Sequence, residues 1–176
     1  MNELSLEEKS TNFETYRHIE DIRNLINMMV VELLHRGVIH DQSKLGGAER
    51  KTFVEFTPKL KNSTYGSEEY KDFLAAMKPA LDNHYAHNRH HPEHFEKGLD
   101  GMNLVDVLEM LIDWKAASLR HETGDVNKSI DVNVERFGIS PQLVAILKNT
   151  VLDFGLEDWG KEKWGRSKPL DSVSKS

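Results

Sequence analysis

Residues 84–94, HYAHNRHHPEH, place five of the chain's nine histidines in eleven positions, with Glu93 among them. On a helix that ends near Asn88, His84, His87 and Asn88 fall at i, i+3 and i+4 and share one face. His91 precedes Pro92, which biases it out of helical geometry and into a loop closing over that face. Neutral imidazole is the commonest protein metal ligand, and several with a carboxylate suit Zn, Mn or Fe better than Mg or Ca. Ligands delivered from helices and the loops joining them are how an all-helical bundle builds a buried centre.

Upstream, Ser67 is a plausible N-cap, and Glu68 and Glu69 sit in a first turn where the helix dipole favours acids. The helix from about Glu68 to Asn88 is expected to kink or split at Pro79. Before it, residues 48–60 predict a short amphipathic helix with Phe53, Val54 and Phe56 inward, ended by Pro58. The first helix is expected from about Asn12, on a Thr11–Glu14 capping box, with Ile19, Ile22, Ile26, Met29, Val30, Leu33 and Leu34 at helical spacing. Gly37 is its expected stop. That helix carries His18, and the adjacent pair His40–Asp41 follows it. Helical neighbours lie about 100° apart, so both can serve one site only from its flank or from a helix start.

Downstream, Met102 to about His121 predicts a helix with Leu104, Val105, Leu108, Leu111 and Ile112 as core stripe. Asp106, Glu109 and Asp113 line another of its faces, where a solvated edge is the plain alternative for the first two. Asp113 stands between Ile112 and Trp114, and an acid in apolar surroundings is costly unless paired or metal-bound. A short element with Asn133, Arg136 and Phe137 comes next. A helix from Ser140–Pro141 then buries Leu143, Ile146, Leu147, Val151 and Leu152. The expected organisation is a flexible 1–11, one helical domain over 12–154 and a polar tail over 155–176.

Composition bounds the rest. The 176 residues suffice for one domain with a real core, and 38% hydrophobic with 30% charged residues is ordinary for a globular chain. The absence of cysteine excludes disulfides and thiolate zinc sites. A net charge of −6 speaks against broad binding to extended nucleic acid, though a local basic patch accepts a phosphate. No apolar run approaches the roughly 20 residues of a membrane span. MNELSLEEKS has neither the basic nor the apolar region of a secretion signal, so a cytoplasmic location is expected.

Taken in order, His18, His40–Asp41, His84, His90–His91 and Asp113 resemble the pattern of the HD-domain superfamily of metal-dependent phosphohydrolases, particularly its dinuclear members. The resemblance covers roughly residues 12–121. HDQSK, YGSEEY, HYAHNRHHPEH and MLIDWKAA also look like an uncharacterised helical family found in phages and bacteria, which would place the protein in a host cytoplasm if phage-encoded.

The resemblance implies that His18, His40, Asp41 and Asp113 are the primary metal ligands and that His84 and His91 hold a second metal. His90 and Glu93 are alternates, and the GYP signature is absent. One or two divalent ions among Mn, Fe, Zn, Co and Ni fit such a donor set. The expected function is hydrolysis of a nucleotide or related small phosphate ester through a metal-activated water. Lys44 and one of Arg89, Arg120 or Arg136 would offset developing charge, and Asp41 or Glu93 would orient the water.

Two alternatives stand beside it. One is a regulatory protein that binds metal or nucleotide without catalysis, because a structural metal site is closed where a catalytic one keeps a position for water. The other is a di-iron oxygenase, which the superfamily also implies. Trp159 and Trp164 are candidates for a subunit contact, making a homo-oligomer a candidate state.

Overall fold

The computed structural model describes residues 5–63, 67–120 and 124–160. Among the described residues it is all-helical, with seven α-helices and no strand. These are α1 (Leu6–Ile39), α2 (Gly47–Asn62), α3 (Glu68–Ala76), α4 (Lys78–His87), α5 (Leu104–Ser118), α6 (Val126–Phe137) and α7 (Pro141–Asp153). No helix among them is long and apolar enough to cross a membrane. Trp164, His121 and most of the polar tail lie outside the described residues.

The chain divides into two compact units. The first runs to Asn88 and includes Asn103–Val105; the second comprises Arg89–Met102 and the chain from Asp106 onward.

In the first unit α1 begins earlier than the Thr11 pattern predicts. Ser5 accepts a hydrogen bond from the Glu8 N–H while the Glu8 carboxylate accepts from the Ser5 N–H, closing a capping box six residues upstream. The helix also passes through Gly37 and ends at Ile39. The left-handed residue that closes it is Asp41, with φ 58, an acidic residue being one of the few side chains that tolerates that region. A 3-10 turn, Gln42–Leu45, follows, and α2 packs on it and on α3 and α4.

Pro58 sits inside α2 rather than ending it, and Val54, expected inward, is exposed. The split at Pro79 is as expected: α3 stops at Ala76, and α4 carries the proline in its first turn, where the missing N–H is harmless. Ser67 caps α3 by accepting from the Tyr70 N–H. Met77 and Ala80 are buried in this unit.

In the second unit Leu111 of α5, Val126 and Ile130 of α6, and Leu147 and Val151 of α7 form the core. Ser140 and Pro141 start α7 as the sequence predicts. The stripes were only partly buried, because Ile112, Ile146 and Leu152 are exposed. Leu104, the first residue of the α5 stripe, is exposed as well. Ile130 is fully enclosed, so Ile130→Ala is expected to cost about 2–5 kcal/mol. A urea titration showing less than half the lower figure would mean that the site collapses around the deletion.

Candidate functional site

In the first unit the polar centre is built by the end of α1, the 3-10 turn, the start of α2 and the end of α4. His84 is 2 % exposed and Glu49 fully buried. The Glu49 carboxylate lies 3.1 Å from His84 Nδ1, accepts from Asn83 Nδ2 at 2.7 Å, and accepts from the Ser43 hydroxyl at 3.1 Å. Asn88 donates one amide N–H to Ser43 Oγ at 2.9 Å and the other to the His84 carbonyl at 2.8 Å.

His84 Nδ1 also lies 3.0 Å from Asn88 Nδ2 and 3.2 Å from Ser43 Oγ; of its three neighbours the charged Glu49 carboxylate is the strongest acceptor and favours a hydrogen on Nδ1. His84 Nε2 lies 3.3 Å from Asp41 Oδ1.

Electrostatics agree with a neutral imidazole. Burial lowers the His84 pKa below 6.5, and the Lys44 charge adds to this, outweighing the pull of Asp41 and Glu49. Burial raises the Asp41 carboxyl, but Lys44, bonded to Oδ2 at 2.6 Å, together with His40 and His84, more than reverses it. Asp41 is therefore held ionised. A neutral Nε2 lone pair facing a carboxylate oxygen at 3.3 Å is an arrangement that a cation between the two atoms favours. His40 Nε2 stands 3.7 Å from the other oxygen of Asp41.

The second unit repeats the theme. His90, also 2 % exposed, has Nδ1 at 3.2 Å from the buried Glu109 carboxylate. Its ring lies 4.1 Å from that of His91, centroid to centroid. His90 and His91 each offer a donor atom within 4.8 Å of the other, as do His90 and the half-buried Asp113. Asp41, His84, His90 and His91, and likewise His40, His90 and Asp113, are largely buried imidazole and carboxylate groups of the kind that could hold a metal ion.

Other expected site residues are placed differently. His18 is exposed on α1 and joins no close group of donors among the described residues. Lys44 is held by Asp41 and lies over the Phe53 ring at 5.2 Å. Glu93 accepts from Arg136 at 2.6 Å, and Arg89 makes a two-bond fork to Asp106. Arg120 is exposed just beyond α5. Two surface cavities of the second unit, about 290 and 380 Å³, are lined by Lys97, Asp100 and Phe137 and by Asp131, Glu135 and Pro141 respectively, and by none of the expected site residues.

Glu49 was not among the sequence candidates, and Asp106 and Glu109 were left open as a solvated edge. All three are buried. The available signal was their spacing: Asp106, Glu109 and Asp113 do share a helical side, and Arg89 and His90 in the preceding loop are the cations and donors such acids would meet.

Residues 7–153 match the model of a family of unknown function, DUF5662. The match spans most of the chain, and the protein belongs to that family. No curated protein and no solved structure matches it.

Proposed function

We propose that this protein is a metal-dependent phosphohydrolase that acts on a nucleotide or a related small phosphate ester. The observation that carries the reading is the buried His84, its pKa lowered, whose Nε2 lies 3.3 Å from Asp41, among the His and Asp donors that could hold a metal ion. On this reading His40, Asp41, His84, His90, His91 and Asp113 are the residues that hold metal. A divalent ion bound there supplies an activated water and polarises a phosphoryl oxygen. Mn, Fe, Zn, Co and Ni all accept such donors.

The chain's own residues then have distinct tasks. Glu49 and Glu109 fix the rings of His84 and His90 from behind. Lys44 keeps Asp41 ionised and stands where a phosphate group would gain a positive neighbour. Glu93, already paired with Arg136, would act on water only by leaving that partner, whereas exposed Arg120 is open to a substrate phosphate. A cytoplasmic location goes with this reading.

The test is phosphate release from nucleoside mono-, di- and triphosphates and cyclic nucleotides. Metal-stripped protein is assayed with Mn, Fe, Co, Zn, Ni or Mg restored, beside Asp113→Ala. Metal-dependent release that disappears in the variant is expected. A structural or regulatory role is the second reading, favoured by donors bonded mainly to one another and by cavities that open elsewhere. Stoichiometric metal with no release from any ester would decide for it. Iron with a visible absorption band under the same silence would decide instead for the oxygenase.

A further inference from the structure

Every apolar residue of α1 from Ile19 to Ile39 except Leu33 is 44 % exposed or more. A helix with an apolar face ordinarily buries that face. Half-exposing so many aliphatic side chains presents on the order of 1,000 Å² of apolar surface, where the largest patch of a typical monomer is about 300–600 Å². We propose that α1 is an association helix and that its occupant is α1 of a second copy of this chain.

Three features favour a second copy. The first is area: a standard interface takes about 800 Å² from each partner, and one side of this helix supplies much of that. The second is spacing. Ile19, Ile22, Ile26, Met29 and Leu33 follow one another at steps of 3, 4, 3 and 4, the seam of paired helices. The third is that the seam from Ile22 to Leu33 is complementary to itself under a two-fold axis, as a closed dimer requires, with Ile19 opposite Arg36. With two helices antiparallel about the Asn27–Met28 midpoint, Ile26 meets the second copy's Met29 and Ile22 meets its Leu33. The same alignment sets Glu20 level with the other copy's His35 and Asp21 with its Leu34, whereas a parallel pair would set the acidic step beside itself.

The 34 helical residues extend about 50 Å, so the seam fits well within the helix.

Analytical ultracentrifugation of the full chain across micromolar concentrations is expected to give a dimer. Ile22→Glu with Ile26→Glu is expected to raise its dissociation constant at least 100-fold with the helical circular dichroism kept. Because the chain lacks cysteine, Asn27→Cys admits a single nitroxide without disturbing the seam. Its dipolar spectrum should place two labels within about 20 Å, given helix axes 8–10 Å apart. A monomer throughout the range overturns the proposal. So does a dimer whose labels lie far apart, whether or not the glutamate variant folds.

Discussion

Replacing His84 by alanine is expected to strip metal from the first unit and to lower phosphate release at least 100-fold. The magnitude follows from the imidazole's position. It is buried, its Nδ1 is fixed by Glu49, and its Nε2 faces Asp41 across 3.3 Å. His40 Nε2 stands farther off, 3.7 Å from the other Asp41 oxygen. His84→Gln separates ligand loss from cavity formation, since it fills most of the space yet supplies an amide. Metal per chain by elemental analysis, read beside phosphate release, checks the result. Full metal content and undiminished turnover in both variants would remove the first unit from the proposed chemistry.

The same group gives a pH dependence with a definite sign. The folded chain holds His84 below its ordinary 6.5, so the unfolded chain binds more protons between the two values. The stability this provides is present above pH 6.5 and is lost as pH falls through the folded value. Protonation also removes the lone pair, so metal release should accompany the loss. Asp41, likewise lowered, adds a second decline at more acidic pH, below its ordinary 3.8.

Where a single residue carries a local rule, the sequence was legible. Pro79 split one helix into α3 and α4, Ser67 and Ser140 capped their helices, and His91 before Pro92 left helical geometry, with φ −99 and ψ 127. The His40–Asp41 adjacency was harder, because helical neighbours diverge. It resolves through the left-handed Asp41, which turns the chain so that its carboxylate reaches His84. What stayed illegible was cover. Periodicity tells which α1 residues share a side, and it is silent on whether anything packs there. Ile22 and Ile26, at the spacing of a core stripe, are 44 % and 56 % exposed.

Acids in helices hid for a related reason. Glu49, at the start of α2, is fully accounted for by the helix dipole, and Asp106 and Glu109 by solvent. Only pairing with residues 34 to 35 positions away, in Asn83 and His84, reveals that Glu49 is enclosed. Hydrophobic patterning carries no information of that range. The HD-like resemblance pointed to the histidines that the fold buries, His84 and His90, but also to His18, which is exposed.

Glu49 yields the second large effect, and its two substitutions part stability from metal affinity. Glu49→Ala removes the common acceptor of Ser43, Asn83 and His84 and leaves three polar groups facing a void. Each buried donor left unsatisfied costs about 1–3 kcal/mol, enough together to unfold much of the first unit at ambient temperature. Glu49→Gln keeps the volume and one carbonyl oxygen for Asn83, so its stability cost should stay near 1–2 kcal/mol. Its amide, however, presents an N–H to His84 Nδ1 where a carboxylate accepted one. The hydrogen then moves to Nε2, and the lone pair facing Asp41 is lost. Supporting carboxylates behind metal-binding histidines are worth about 10–100-fold in affinity, and a loss of that size is expected in a metal titration of Glu49→Gln. A denaturation curve on the same sample verifies that the fold survives. If folded Glu49→Gln bound metal as tightly as the native chain, Glu49 would be a packing residue with no hold on the tautomer, and the first unit's claim to a metal would weaken with it.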